Sequence, residues 1–552
     1  MDVSQVQSSN SWRFVRRVGG FALIVPLAGY VAVESAKGAD TSSDALLGRS
    51  PTSEIMSDGF NQGNTRGWSS SLGETPSAPT QVCSPPIDAV DTSGATVVGN
   101  GTPGSCSQAA LVAAVASNNG AIRFNCGIAP RTITLTSQLS INTNLVIDGG
   151  GLVTLSGGGT TRIIDFRPPF QQARTLTVQN LTFRNGSTAN LPGSTTDNGG
   201  GAIYRGTYGT LNVIDSFFFD NAGPATGQDV AGGAIYSFGA TTTTIVGSVF
   251  RNNQCSSGGA LGHLFAHLTL VNSIVDANLA SGTGGNPGNG GNGGAIYSDG
   301  NDQTMSICGS SLSYNSANAR GGGLMRVSNN GNGPMIIDRS EIHGNVGTLQ
   351  AGGLYLQGLQ TTISRTSISE NASNSRGGMT VFTNPGAQTL NMTNVTVADN
   401  IAYGNLGAGM AVDDAIPGVL HHVTIAGNSN TGEFSFASAI AGGAALNLIN
   451  SLIVDNKKIF IYENTSCSRT HTGNGNVQWP AQNAAGGNEL PCATGVTFLD
   501  VPIGPLQYNG GFVKSVLPTN TPIIESVSAD CAALDQRGVS RGPTCTPGAV
   551  EP

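Results

Sequence analysis

The chain has little charge. Only 11% of its 552 residues are Asp, Glu, Lys or Arg, and the net charge is -8. No basic stripe is present to neutralise phosphates, so nucleic acid is not an expected partner, and the acidic excess is too mild to imply a cationic one. Beyond the N-terminal stretch there is no apolar run long enough to cross a bilayer, so no membrane span is expected in the mature chain. No CxxC or Cys/His cluster has zinc spacing. The Gly-rich runs lack the spaced Asp of calcium-binding nonapeptides and the Lys-Ser/Thr of a phosphate loop. No cofactor is therefore expected; calcium, conceivable in the turn of Asp299 and Asp302, has no motif behind it.

What is present begins with an export pattern. Arg13, Arg16 and Arg17 precede an apolar stretch from 18 to 33, with Ala36, Gly38 and Ala39 after it, the order of a secretory signal. Residues 1–39 are read as that signal, although Lys37 stands where a small residue is preferred; a retained anchor is the rival, and the apolar run is short for a full span. Residues 40–94, rich in Ser, Thr, Pro and Gly, read as a flexible linker. Nine cysteines fit an oxidising destination. Cys106 and Cys126, Cys467 and Cys492, and Cys531 and Cys545 each flank a short segment and are the expected disulfides. The states of Cys83, Cys255 and Cys308 stay open.

From 213 to 456 one pattern recurs nine times: an apolar residue, a second five positions on, and an Asn three after that. The closing residues are Asn221, Asn253, Asn278, Asn315, Asn345, Asn371, Asn400, Asn428 and Asn456. A period of this size means stacked units that bury a core only by sitting on one another. Apolar residues two apart, such as Leu211 and Val213, share one face of a strand. A second short strand follows at Phe218 and its equivalents. A third is announced by Gly-Gly, as in Gly232-Gly233-Ala-Ile-Tyr236. The expected fold is all-β, a right-handed parallel β-helix of about a dozen turns with three short strands per turn. Residues 95–460 carry it, a short N-terminal capping helix over 106–117 shields its first edge, and residues 461–552 close it. The Asn set reads as a structural ladder, suited to left-handed corners and to amide stacking. Gly186 takes the corner in an earlier copy.

These residues resemble bacterial extracellular right-handed β-helix proteins of the pectate-lyase-like superfamily. Within them, the Gly-Gly-Ala-Ile strand and Phe-x-x-Asn motif are similar to polymorphic outer-membrane-protein repeats. Gly504-Pro-Leu-Gln-Tyr-Asn-Gly-Gly511, Cys531-Ala-Ala-Leu-Asp-Gln-Arg-Gly538 and Gly548-Ala-Val-Glu551 resemble the choice-of-anchor domain. Thr546-Pro547 and Pro522-Ile-Ile-Glu525 replace that family's usual residues, and no anchor is expected after Pro552. The resemblance implies fold, export and a secreted or cell-surface location; it implies no activity, because the β-helix hosts lyases, hydrolases, adhesins and spacers alike.

No catalytic constellation stands out. Asp413 and Asp414 are the obvious acid pair, but neighbours on a strand point to opposite faces. Glu341 and His343 flank an inward Ile342 and so share an outer face, where a solvated pair is the plain reading and acid–base work the sharper one. Tyr204, Tyr236, Tyr297 and Tyr355 occupy one position of the third strand. Facing outward they form a strip able to stack on sugar rings; facing inward they are core. The resulting expectation is an exported, monomeric, adhesin-like protein contacting polysaccharide or envelope polymer. The alternatives are a polysaccharide lyase or hydrolase and a passive spacer. Acidic and basic residues of successive turns converging in one groove would favour the enzyme.

Overall fold

The computed structural model describes residues 81–552 except 192–195, 405, 433–434, 459–464, 484 and 520–522. The signal expected at 1–39, and the expected linker as far as 80, lie outside the described residues. The chain winds into an all-β, right-handed parallel β-helix of about 13 turns. Its one α-helix among the described residues is Gln108–Ser117, capped by Ser107, whose hydroxyl accepts the Ala110 N–H. Leu111 and Ala114 turn inward from it and close the first turn.

Each turn uses the expected three strands plus a fourth piece. The first and second strands, such as Thr242–Val246 and Val249–Arg251, lie in one long sheet of 24 strands. A two-residue strand after the ladder Asn, such as Gln254–Cys255, builds a sheet of eight. The third strand, such as Leu261–Leu264, builds a sheet of eleven. Register keeps like over like: Phe183, Phe218 and Phe250 stack at centroid spacings of 4.7 and 4.5 Å, and the apolar positions of the repeat form one continuous core.

Two buried ladders hold the corners. Each Asn accepts, at its side-chain oxygen, the backbone N–H and the amide of the Asn one turn earlier. Asn278 thus gives both to Asn315 Oδ1, at 3.0 and 2.9 Å. Its amide also donates to the Phe250 carbonyl. The left-handed residue is not the Asn, as the pattern suggested, but the one before it: Ala277, Tyr314, Glu370, Asp399 and Asp455 have φ of 53–55°. The ladder Asn is thereby free to aim its amide along the axis. Gly186 ends the ladder as expected, giving its N–H to Asn221 Oδ1, and a Cβ there would lie 2.3 Å from the Gly201 carbonyl. At the other corner Ser216, Ser248, Ser273, Ser310, Ser340 and Thr366 form a hydroxyl ladder of the same kind.

The expected disulfides Cys106–Cys126, Cys467–Cys492 and Cys531–Cys545 are formed. A fourth, Cys83–Cys308, spans 225 residues. It corrects the flexible reading of 40–94 at its far end: Val82 and Cys83 are buried against Val246 and Val271, and both N–H groups donate to Asn272 Oδ1. Cys255 is a buried free thiol, pushed up to about 12 by burial. The stack also runs past 460, through Thr472–Asn474, Val477–Gln478 and Thr497–Phe498. The remaining C-terminal segment does more than close the end, because it turns back along the wall: Gln536 reaches Thr366 and Thr396, Arg541 reaches Asn394, and Tyr508 reaches Glu341.

Candidate functional site

The outward position of the third strand decides where this molecule can be approached. Register aligns Tyr204, Tyr236, Gly262, Tyr297, Met325, Tyr355, Thr380, Ala411 and Ala441 in one column. The four tyrosines do face away from the core, yet they are not open: Tyr236 and Tyr297 are 0% exposed, Tyr204 2% and Tyr355 7%. Loops that follow the ladder corner fold over them. Tyr204 donates to Asp197 at 3.0 Å and lies under the Arg167 guanidinium at 4.1 Å. Tyr236 donates to the Asp229 carbonyl. Tyr297 meets Asp229 at 2.9 Å and Asn286, a residue of the long Gly-rich loop, at 3.0 Å. Burial raises all four phenols. An exposed aromatic strip is therefore absent along these turns, and the sequence could not reveal it because the covering loops vary in length and lack a repeat.

Beyond Tyr355 the column shrinks to Thr380, Ala411 and Ala441, and a groove of about 470 Å³ opens above them. Phe382 and Phe436 line it, the latter 56% exposed, together with Arg376, Asp413, Asp414 and Arg469. Asp413 and Asp414 come just after the strand Met410–Val412, so the alternation that would part them on a strand does not apply, and both line the groove. Asp413 Oδ2 accepts the Thr383 N–H at 2.9 Å and its hydroxyl at 3.0 Å. Asp414 pairs with Arg469 at 2.9 Å and accepts the Ala444 N–H. Arg376 lies over the Phe382 ring at 4.8 Å. Among the described residues it forms no ion pair, and burial lowers it from its ordinary value. Four turns thus contribute acids, bases and two phenyl rings to one place.

Glu341 and His343 share the outer face of Glu341–His343 as expected, but they are not solvated. The returning C-terminal segment covers them. Glu341 accepts the Lys514 N–H at 2.8 Å and the Tyr508 hydroxyl at 2.9 Å, and burial raises its carboxyl. His343 Nδ1 meets Glu370 at 2.9 Å and Nε2 the Tyr314 hydroxyl at 2.9 Å. The His343 hydrogen bond holds Glu370 down at about 2. This is a latch between tail and wall. Nothing in local spacing could announce it, since the partners lie 167 and 173 residues apart.

The cluster of metal-capable residues found among the described residues is Cys83, Cys308 and Asp338, and its two sulfurs are spent in a disulfide. Asp299 and Asp302 point to separate partners, Asn329 and Asn330. No described helix is long and apolar enough to cross a membrane. No family model matches the chain, and no curated protein matches it in sequence. Among solved structures it is similar to a mutant of the periplasmic alginate epimerase AlgG. That likeness has 10% identity and a TM-score of 0.28 over 69% of this chain and 77% of that one, too remote to carry any residue's role across.

Proposed function

We propose that the chain is an exported, rod-like binding protein whose groove between Arg376 and Arg469 holds a segment of polysaccharide or other envelope polymer. One observation carries the reading. The outward column is filled by tyrosines and roofed by loops over its first turns, and is floored by small residues where the groove lies. Phe436 offers a face and Phe382, whose ring lies under Arg376, an edge to a sugar ring, and the carboxylates and guanidinium groups offer paired acceptors and donors to its hydroxyls. Four disulfides suit an oxidising compartment, which supports a secreted or surface location and the kinship with extracellular β-helix proteins. The aromatic contacts fall to Phe382 and Phe436 rather than to the tyrosine strip.

A second reading, a polysaccharide lyase or hydrolase, is favoured by the convergence of Arg376, Asp413, Asp414 and Arg469 from successive turns. Against it, the contacts of both carboxylates are to donors already fixed in the fold, Thr383 for Asp413, and Arg469 and Ala444 for Asp414. The test incubates the mature chain with acidic and neutral polysaccharides, with and without calcium, and scores retention and new chain ends together. Retention without new ends, lost in Phe436→Ala and Arg376→Ala, supports binding. New ends that vanish in Asp413→Asn or Asp414→Asn replace binding by turnover. Neither signal removes both and leaves a spacer.

A further inference from the structure

The inward position of the third strand, next to the tyrosine column, runs through Ile141, Phe166, Arg205, Ser237, His263, Ser298, Arg326, Leu356 and Val381. An apolar interior column becomes polar for five consecutive turns and then apolar again. Arg205, His263 and Arg326 are essentially sealed from solvent, at 0, 0 and 1% exposure, with Phe166 and Leu356 closing the two ends. The two serines are small, and each guanidinium leans over one of them toward the centre. Arg205 donates to the Phe238 and Gly239 carbonyls and to Thr241, all in the next turn. Arg326 donates to the Ser298 hydroxyl and the Gln303 carbonyl, both in the preceding turn. His263 lies on the turn between the two turns over which the guanidinium groups lean.

The compartment has a surplus of charge and of donors. Among the described residues neither arginine has a carboxylate within ion-pairing distance, and Asp299, the acid that Arg326 feels most, lies on the other face of its strand. The Nε–H groups of Arg205 and Arg326 and both ring nitrogens of His263 have no protein partner. Burying two guanidinium groups without a counter-charge is costly, and buried donors without acceptors add to that cost. Carbonyl oxygens answer part of the charge but leave the two Nε–H groups and the one N–H of a neutral His263 ring unmet.

We propose that the solenoid interior holds one monovalent inorganic anion of halide size beside His263, between the Arg205 and Arg326 guanidinium groups. Such an ion supplies the missing negative charge and accepts from donors that the protein leaves open, fixing the five turns that carry the loops over the tyrosine strip. The site is separate from the groove and stands whether or not that groove binds sugar.

The direct test is anomalous diffraction from crystals of the full chain grown with bromide in place of chloride. A bromide peak within hydrogen-bonding distance of a His263 ring nitrogen is expected. Water density at that point, or no peak, overturns the proposal. In solution, the thermal midpoint should rise in chloride or bromide relative to gluconate at equal ionic strength, and Arg326→Met should lose that rise. An equal response in wild type and Arg326→Met would assign the effect to salt in general and contradict the site. Should that variant fail to fold, the wild-type bromide experiment decides alone.

Discussion

Two long outer faces of this solenoid are closed to water by different means. Along the third strands, the turns cover themselves: loops that leave each Asn corner fold back over Tyr204, Tyr236 and Tyr297. Along the corner between first and second strands, the covering comes from the two ends of the described chain. Residues from 82 lie against Asn272 and Arg339, and the returning C-terminal segment lies against Glu341, Asn394 and Asn450. A cover made turn by turn can change from turn to turn, and at Thr380, Ala411 and Ala441 it gives way to a groove. A cover made by one continuous segment has no such freedom. The difference places variable chemistry on the self-covered face and places stability on the other.

That division can be broken first at its most heavily packed point. Tyr297→Ala removes a fully buried ring with hydrogen bonds to Asp229 and Asn286, and should cost roughly 3–5 kcal/mol in chemical denaturation. A loss below about 1 kcal/mol would mean that the loops do not cover this face in solution. On the opposite face, the double variant Cys83→Ala, Cys308→Ala releases the N-terminal cover and should cost about 2–4 kcal/mol, read as a lower thermal midpoint with ligand binding at the groove unchanged. Phe436→Ala, at the open stretch, should change stability by less than about 0.5 kcal/mol and weaken polymer binding by about 0.5–1.5 kcal/mol.

The smallest effect is a pH dependence at the C-terminal latch. Glu370 is held at about 2 in the fold by its hydrogen bond from His343, below an ordinary value of about 4.3. Because the folded value is depressed, its contribution is present above the ordinary value and is lost as pH falls through about 2. Glu370→Gln should therefore flatten the acid limb of the stability curve between about pH 4 and 2. The side chain is 46% exposed, so water screens the pair and the change will be modest. An acid limb unchanged in the variant would show that the His343–Glu370 pair beneath the tail adds nothing to stability.

Much of the fold was legible in the sequence because a solenoid writes its geometry into its period. The spacing from Ile307 through Leu312 to Asn315 gives strand, strand and corner, and the structure places all three as expected. The hydroxyl ladder was equally written, as Ser or Thr five residues before most of the ladder Asn residues, from Ser216 to Thr366 and again at Ser451, but went unread beside the stronger Asn signal. The site was legible only in pieces. Asp413 and Asp414 could be named, yet their convergence depends on the strand ending at Val412. The groove itself depends on register, which aligns Ala411 and Ala441 with Tyr355 across turns of unequal length. The burial of Glu341 and His343 depends on a segment more than 160 residues away. Arg205, His263 and Arg326 carry no signal in the sequence, since each stands alone in its own repeat and only stacking makes them one group.

The central claim is that the groove over Thr380, Ala411 and Ala441 is the binding surface, and restoring the bulk that earlier turns carry tests it most directly. Equilibrium binding of a retained polysaccharide should be compared between wild type and Ala411→Tyr, with denaturation of both as the control. The account predicts at least about a tenfold loss of affinity, on the order of 1.4 kcal/mol, with little change in stability. Unchanged affinity in a folded Ala411→Tyr would contradict it and move the binding surface elsewhere.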